Sequence, residues 1–276
     1  INYTSGTTSR PKGVMITHRN AWVNVVGTLA HLPMTPADRF LWSLPMFHAN
    51  GWTYTWIVTA AAALHVCLRQ VDATTVYRLV NQECITMLCA APTVLIAIAS
   101  GPEEGRKSLR RGVRVQTAGA PPAAATIERV EGELGWFITQ VYGLTETAPF
   151  ISICAPLPEH DALEPGERAR IKARQGVELM TSGDLRVVDE EMRDVPRDGA
   201  TLGEIVARGN VVMKGYYNNP KANTTAFTAD GWLRTGDLGA LDADGRLRMV
   251  GRLKDVFRVG GENVAPAEVE EILLAH

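Results

Sequence analysis

The sequence predicts an α/β protein, built as a mainly parallel sheet with flanking helices and followed by a β-rich subdomain. Two observations carry that prediction. Short apolar, β-branched runs alternate with segments of helical apolar spacing as far as about residue 155, the pattern of a parallel sheet whose crossovers are helices. Beyond Pro156 the rhythm changes, and strand-like runs separated by Gly and Asp turns replace it. Chain length is compatible with this: 276 residues bury roughly 70–75% of their unfolded surface.

Taken in order, His18 to Leu32 has helical spacing with Thr17 as N-cap, and Phe40 to Leu44 reads as a strand ending before Pro45. A helix is expected over Trp52 to Ala62, a strand over Leu64 to Leu68, and a helix through Asn81 capped by Asp72. Ile85 to Ala90 reads as a strand, Val94 to Ala99 as a short helix after Pro92, and Val113 to Thr117 as a strand. Ala123 to Leu134 then reads as a helix and Trp136 to Val141 as a strand. Pro156 to Arg174 is polar, charged and Pro-containing, a surface excursion or lid-like connection. Gly183 to Val188, Gly203 to Arg208 and Leu247 to Val250 are the expected strands of the second part, with a hairpin turn at Asp242-Ala243-Asp244-Gly245. Pro266 to Leu274 has the start of a helix, with Pro in the first turn and acids behind it. The chain opens inside a strand pattern without Met and closes inside that helix, so it reads as a fragment of a longer enzyme.

Charge and cysteine usage narrow the class. Net charge is −2 from 28 basic and 30 acidic residues, and the one dense basic cluster, Arg106-Lys107-Ser108-Leu109-Arg110-Arg111, reads as a solvated loop rather than a nucleic-acid patch. Cys67, Cys84, Cys89 and Cys154 show no CxxC spacing and read as buried thiols of a reducing cytosol, which makes a cytoplasmic location the expectation. The most apolar run, Trp56 to Leu68, is interrupted by Thr59 and His65 and falls short of the roughly 20 residues a membrane span needs.

The opening stretch Thr4-Ser5-Gly6-Thr7-Thr8-Ser9-Arg10-Pro11-Lys12-Gly13 concentrates hydroxyls, glycines and a lysine. Such a composition suits polyphosphate: backbone N–H groups freed by glycine and side-chain hydroxyls donate to oxyanions, and Lys12 adds a point charge. A polar surface turn has the same composition. Lys12 precedes its glycine, which is the wrong order for a Walker A loop.

The stretch resembles the phosphate loop of the adenylate-forming superfamily, which includes acyl-CoA synthetases, luciferases and the adenylation domains of peptide synthetases. Ser9 departs from the glycine usual in that family; a positive φ there would cost roughly 1–2 kcal/mol. Further along, Tyr142-Gly143-Leu144-Thr145-Glu146-Thr147 follows a sheet strand, where ligands collect in open α/β sheets, and resembles the family's Tyr-Gly-x-Thr-Glu motif. By that resemblance Tyr142 and Gly143 lie against adenine, Thr145 bonds the α-phosphate and Glu146 holds Mg²⁺, a task suited to a hard carboxylate oxygen. Gly119-Ala120-Pro121 resembles the segment lining the adenine and acyl pockets, and reads equally as a strand-to-helix turn. Asp237, in Gly231-Trp232-Leu233-Arg234-Thr235-Gly236-Asp237-Leu238, matches the aspartate that accepts from the ribose hydroxyls, and Arg252 matches the arginine that also reaches ribose.

Lys254 falls at the family's hinge, with 254–276 beyond it as the start of a C-terminal domain, 1–155 as the nucleotide- and acyl-binding subdomain and 156–253 as the β-rich one. Gly260-Gly261-Glu262-Asn263 resembles a loop that approaches the pantetheine tunnel. Phe47 and His48, in Pro45-Met46-Phe47-His48-Ala49-Asn50-Gly51-Trp52, resemble the acyl-CoA synthetase form of the acyl pocket. Trp52, Trp56 and Phe47 either shorten that pocket toward a short- or medium-chain acid or belong to the core.

The implied activity is an AMP-forming acyl-CoA ligase acting on a carboxylic acid, ATP and coenzyme A, with catalytic residues Lys12, Thr145 and Glu146. ATP contacts would come from Thr4, Ser5, Gly6, Thr7 and Thr8, and nucleic acid is not an expected partner. A peptide-synthetase adenylation domain is the alternative within the family, but the aspartate expected near an amino-acid ammonium is missing from Phe47 to Trp52. A nucleotide-binding module without catalysis is the alternative from another class.

Overall fold

A computed structural model describes residues 1–4, 10–259, 262–264 and 269. Strands β1 (Asn2–Thr4) and β2 (Lys12–Val14) form an antiparallel hairpin that sets Thr4 directly across from Lys12. Helix α1 (His18–His31) follows, closed by a capping box in which Thr17 Oγ1 accepts from the Asn20 backbone and Asn20 Oδ1 accepts from the Thr17 backbone.

The main sheet then alternates strands and helices. Strand β3 (Arg39–Trp42) is followed by a helical turn α2 (Ala49–Trp52), α3 (Tyr54–Ala60), β4 (Leu64–Cys67), α4 (Ala73–Gln82) and β5 (Met87–Cys89). Helices α5 (Pro92–Ala99) and α6 (Glu103–Lys107), strand β6 (Arg114–Thr117), and α7 (Ala124–Arg129), which runs on as a π turn over Val130–Leu134, lead to β7 (Phe137–Gly143). Strand β8 (Phe150–Ile153), helix α8 (Pro165–Lys172) and β9 (Val177–Glu178) complete it. The spatial order is β4-β3-β5-β6-β7-β8-β9, parallel from β4 to β7 and antiparallel at β8 and β9.

Helices cover both faces, and the pleat sorts side chains between them. Leu41, Leu88, Val115 and Ile138 join one apolar layer with Val76, Val80, Leu95, Ile98 and Ile127, while Phe40, Trp42, Met87 and Cys89 join the opposite layer with Val25, Tyr54, Ile57 and Val58. Because both faces are dry, these strands read as continuous apolar runs rather than as alternations. Each fully buried Leu, Ile or Phe contributes roughly 1.5–3 kcal/mol.

The second unit is an antiparallel sheet, β10 (Asp184–Val188), β11 (Gly203–Arg208), β12 (Leu233–Leu241) and β13 (Leu247–Arg252), with α8 left behind on the first sheet and α9 (Pro220–Ala226) inserted before β12. The expected turn at Asp242–Gly245 joins β12 to β13, and within it Gly245 alone adopts a positive φ, 77°. A bridge between Gly176 and Leu247 ties this sheet to the edge of the first. Strands β14 (Phe257–Val259) and β15 (Glu262–Val264) pair as a final hairpin. The fold class is as the sequence predicts.

Four expectations are corrected. The helix expected over Trp52 to Ala62 is broken: Ala49, Asn50, Gly51, Trp52 and Thr53 all have positive φ, between 47° and 67°, so the turn winds left-handed before α3 begins. That conformation is disfavoured by roughly 1–2 kcal/mol per residue; it is held by burial of Trp52 edge-on to Phe150 and by a hydrogen bond from Thr53 Oγ1 to the Ala148 carbonyl.

Pro156 to Arg174 lies largely at the surface, but as folded structure rather than as an irregular connection. It folds into a 3₁₀ turn and α8, with His160, Ala169 and Lys172 buried. Lys172 Nζ lies 2.5 Å from Glu131 Oε1, so a polar-looking stretch packs through the stems of its cations.

The basic cluster at Arg106 begins as a helix rather than a loop: α6 carries Arg106 onto Glu133 and the Ala99 carbonyl, while Lys107, Arg110 and Arg111 are exposed, as expected of a solvated cluster. Finally, Cys67 and Cys84 are exposed, and only Cys89 and Cys154 are buried. The expected helix at 266–274 lies outside the described residues, apart from Val269.

Candidate active site

The carboxyl ends of β6 and β7 meet the second sheet at a cleft of ≈ 290 Å³, part of it open to solvent. Gly119, Ala120 and Pro121 form one wall, Tyr142 and Gly143 another, and Asp237 and Arg252 close the third. Seven residues expected at the nucleotide from three distant parts of the sequence therefore line one cleft. Gly119 turns the chain out of β6 with φ 92°, a conformation glycine reaches without strain. Gly143 has no room for a side chain, because a Cβ would stand 1.8 Å from the Pro149 carbonyl oxygen.

Asp237 is the electrostatic centre of the cleft. Pairing of β12 with β13 sets it opposite Arg252, and the two side chains form an ion pair with Arg252 Nε 2.9 Å from Asp237 Oδ1. Tyr142 donates to the other oxygen at 2.7 Å. Although the approach of Arg252 is within ion-pair distance, it is not aligned as a hydrogen bond, and Oδ1 is a buried acceptor without one among the described residues. Burial pushes the Asp237 carboxyl up to about 6, against the opposing pull of Arg252 and of the Tyr142 hydrogen bond. Burial and the neighbouring carboxylate raise the Tyr142 phenol well above its ordinary value, so it stays a donor.

Lys12, Thr145 and Glu146 form a second corner, beyond the lining of that cleft. Thr145–Thr147 is a 3₁₀ turn directly after β7, and it leaves Glu146 half-buried. Tyr216 joins the corner together: its hydroxyl donates to Glu146 Oε1 at 2.7 Å, and Lys12 Nζ sits 4.4 Å from its ring centroid. Across the hairpin from Lys12, the Thr4 hydroxyl is buried with no hydrogen-bond partner among the described residues. Ser5, Gly6, Thr7, Thr8 and Ser9 lie outside the described residues, as do Gly260 and Gly261.

One carboxylate oxygen of Glu146 is engaged by Tyr216 and the other carries no protein bond among the described contacts. No cluster of three or more acidic, His or Cys ligands exists among the described residues. A single carboxylate beside a lysine fits Mg²⁺ that is held mostly by substrate phosphates and water, the usual manner of that ion.

The acyl-pocket candidates separate. Phe47 is 85% exposed and His48 is exposed on the loop before α2, whereas Trp52 is 4% exposed and packed in the core beside Phe150. Lys254 sits exposed in a 3₁₀ turn after β13.

Sequence reasoning missed Tyr216, although Gly215-Tyr216-Tyr217-Asn218-Asn219-Pro220 has a turn composition that could have flagged it. It also missed Gln140 and Met249, which line the cleft; Gln140 is 2% exposed and its Oε1 has no hydrogen-bond partner among the described residues.

Residues 1–217 match the AMP-binding enzyme family, and the chain belongs to it. It is 47% identical over 276 residues to the probable acyl-activating enzyme 9 of Arabidopsis thaliana, covering 99% of this chain and 49% of that protein. To a 2-methylpropanoate–CoA ligase of Humulus lupulus it is 44% identical over 277 residues, covering 100% of this chain and 49% of that one. Among solved structures, o-succinylbenzoate coenzyme A synthetase of Bacillus subtilis in complex with ATP and magnesium superposes with a TM-score of 0.83 at 31% identity, over 100% of this chain and 54% of that one. The chain thus spans about half the length of the relatives it matches. No helix among the described residues is long and apolar enough to cross a membrane.

Proposed function

We propose that this chain carries the adenylation site of an AMP-forming acid–CoA ligase. The observation that carries this reading is Asp237: a buried carboxylate, fixed by Tyr142 and Arg252 at the mouth of a glycine-lined cleft, is built to accept hydrogen bonds from a pair of ribose hydroxyls. Lys12 and Glu146, gathered by Tyr216 outside the cleft lining, would then meet the phosphates of the nucleotide. Relatives that are named CoA ligases support the second substrate, and those named for 2-methylpropanoate and acetate support a short-chain acid.

A carboxylic acid is already an anion at neutral pH, so its attack on the α-phosphorus needs no base. Positioning and neutralisation of charge are the requirements. A carboxylate oxygen bonds to the α-phosphorus, the bond from that phosphorus to the β-bridging oxygen breaks, and pyrophosphate leaves with the electron pair. Lys12 and the Thr4 to Thr8 loop would hold the departing pyrophosphate, and Thr145 the α-phosphate. Glu146 would hold Mg²⁺, which supplies further neutralisation of phosphate charge when bound. The thiolate of coenzyme A then displaces AMP from the acyl-adenylate, leaving a thioester.

We assign 1–155 to nucleotide and acid binding, 156–253 to the β-rich wall and Lys254 to a hinge, with Phe47, His48 and Trp52 on the acid side. The cytoplasm fits the two exposed thiols, Cys67 and Cys84.

Carboxylate-dependent exchange of pyrophosphate into ATP tests the reading, on this chain and on a protein of its relatives' length that contains it. Exchange with short aliphatic acids is the expected result. Exchange with an amino acid would move the assignment to a peptide-synthetase adenylation domain, and ATP binding with no exchange in either protein would leave a non-catalytic nucleotide-binding protein.

A further inference from the structure

We propose that Tyr216 is a positioning residue of the phosphate corner, whose hydroxyl aims Glu146 and whose ring seats Lys12. The inference rests on the nucleotide-site reading above and goes beyond it, because Tyr216 is not among the residues that line the cleft.

Three observations carry it. First, one side chain meets both charges: the hydroxyl donates to Glu146 Oε1 at 2.7 Å, while the ammonium of Lys12 lies over the ring face at 4.4 Å, within the range of a cation–π contact. The opposite charges are thus held apart by an aromatic ring, which prevents the direct ion pair that would take both away from phosphate.

Second, the backbone around Tyr216 is clamped to both of the segments it serves. Met213 N donates to the Glu146 carbonyl at 2.8 Å, and Lys214 N, Met15 N and Tyr217 N link this strap to the strand that bears Lys12, through Met15, Gly215 and Gly13. Asn223 completes the clamp, accepting from Tyr216 N at 2.6 Å and donating to its carbonyl at 3.2 Å. Residues on three chain segments are therefore registered to one another by main-chain bonds, so the tyrosine has little freedom to leave.

Third, the contact is enclosed. Tyr216 is 6% exposed, so its hydroxyl meets Glu146 with little competition from solvent, and a donor to one oxygen leaves the second oxygen of Glu146 directed elsewhere.

The alternative is a purely structural role, since Tyr216 also belongs to a small apolar cluster with Val14, Met213 and Leu233. Two variants separate the roles. Tyr216→Phe keeps the ring and removes the hydroxyl; Tyr216→Leu removes both. Calorimetric titration with ATP, with and without Mg²⁺, is the readout, beside thermal unfolding of each variant without ligand.

Tyr216→Phe is expected to leave magnesium-free ATP binding unchanged and to raise the Mg²⁺ concentration needed for half-maximal tightening by about tenfold, the scale of one hydrogen bond to a charged group. Tyr216→Leu is expected to weaken magnesium-free binding as well. Pairing Tyr216→Phe with Glu146→Gln should add no further loss of Mg²⁺ dependence. A folded Tyr216→Phe protein with the Mg²⁺ response of the parent would overturn the proposal, as would equal losses with and without Mg²⁺. Failure of the underlying site reading looks different: Lys12→Ala and Asp237→Asn would then bind ATP as the parent does.

Discussion

Tyr142 donates its hydroxyl proton to Asp237 Oδ2 at 2.7 Å across a sequence separation of 95 residues. One partner ends a strand of the parallel sheet, and the other lies in the antiparallel sheet. Asp237 is 1% exposed, yet Arg252, the cation paired with it among the described residues, is 43% exposed, so the carboxylate is fixed in place without being fully neutralised.

That imbalance sets a pH dependence. The Asp237 carboxyl is raised to about 6 in the folded protein, from an ordinary 3.8. Between those values the native state binds more protons than the unfolded chain, so stability falls as pH rises through the window and levels off above it. Ribose recognition runs the other way, because the charged form is the better acceptor. Affinity for adenosine, which carries no titrating phosphate, should fall toward tenfold per pH unit below about 6. Calorimetry from about pH 5 to about pH 8 checks this, and Arg252→Gln should move the midpoint upward.

Asp237→Asn separates binding from stability. The amide oxygen still accepts from Tyr142, but the buried charge is gone. Adenosine affinity should drop by about 10- to 100-fold, the scale of hydrogen bonds to a charged acceptor. Urea denaturation at pH 8 should show the variant at least as stable as its parent.

Trp52 and Phe47 should part in the same assay. Trp52→Ala empties a core site beside Phe150 and should cost about 3–5 kcal/mol. Phe47→Ala removes an exposed ring and should change stability by less than about 0.5 kcal/mol. If Phe47 borders the acid, its variant instead raises the KM for the carboxylate in pyrophosphate exchange.

Lys172 and Glu131 form a nearly enclosed pair, 2.5 Å apart with side-chain exposures of 9% and 14%. Glu131→Gln alone should destabilise by about 3–5 kcal/mol, because the lysine stays buried without its counter-charge. Replacing both with apolar residues of similar size should restore most of that loss, as denaturant midpoints will report.

How much of this could be read from the sequence depended on whether the cause was local. Helix α1 was legible because Thr17 caps it in one step, and α4 because Asp72 does the same through Thr75. Strands β3, β5 and β6 stood out as apolar runs because both faces of the sheet are covered. The break at Thr53 was not legible: its left-handed backbone is stabilised by Ala148 and Phe150, which are distant in sequence. Helix α8 hid for a similar reason, since its buried cations resemble solvated ones until Glu131 is brought to them.

At the site, Asp237, Tyr142 and the Gly119 turn were legible through short motifs, and the structure lines one cleft with them. Tyr216 was not, because its importance comes from two side chains that neighbour it only in space.

The division of the cleft between two sheets has a mechanical consequence. A nucleoside seated there would touch β6 and β7 on one side and β12 and β13 on the other, acting as a rivet through two plates. By mass action, a ligand at a hundred times its dissociation constant strengthens the native state by about 2.7 kcal/mol. That gain would be concentrated at the seam where Gly176 meets Leu247, so amide protons along this seam should report occupancy more strongly than those in the centre of either sheet.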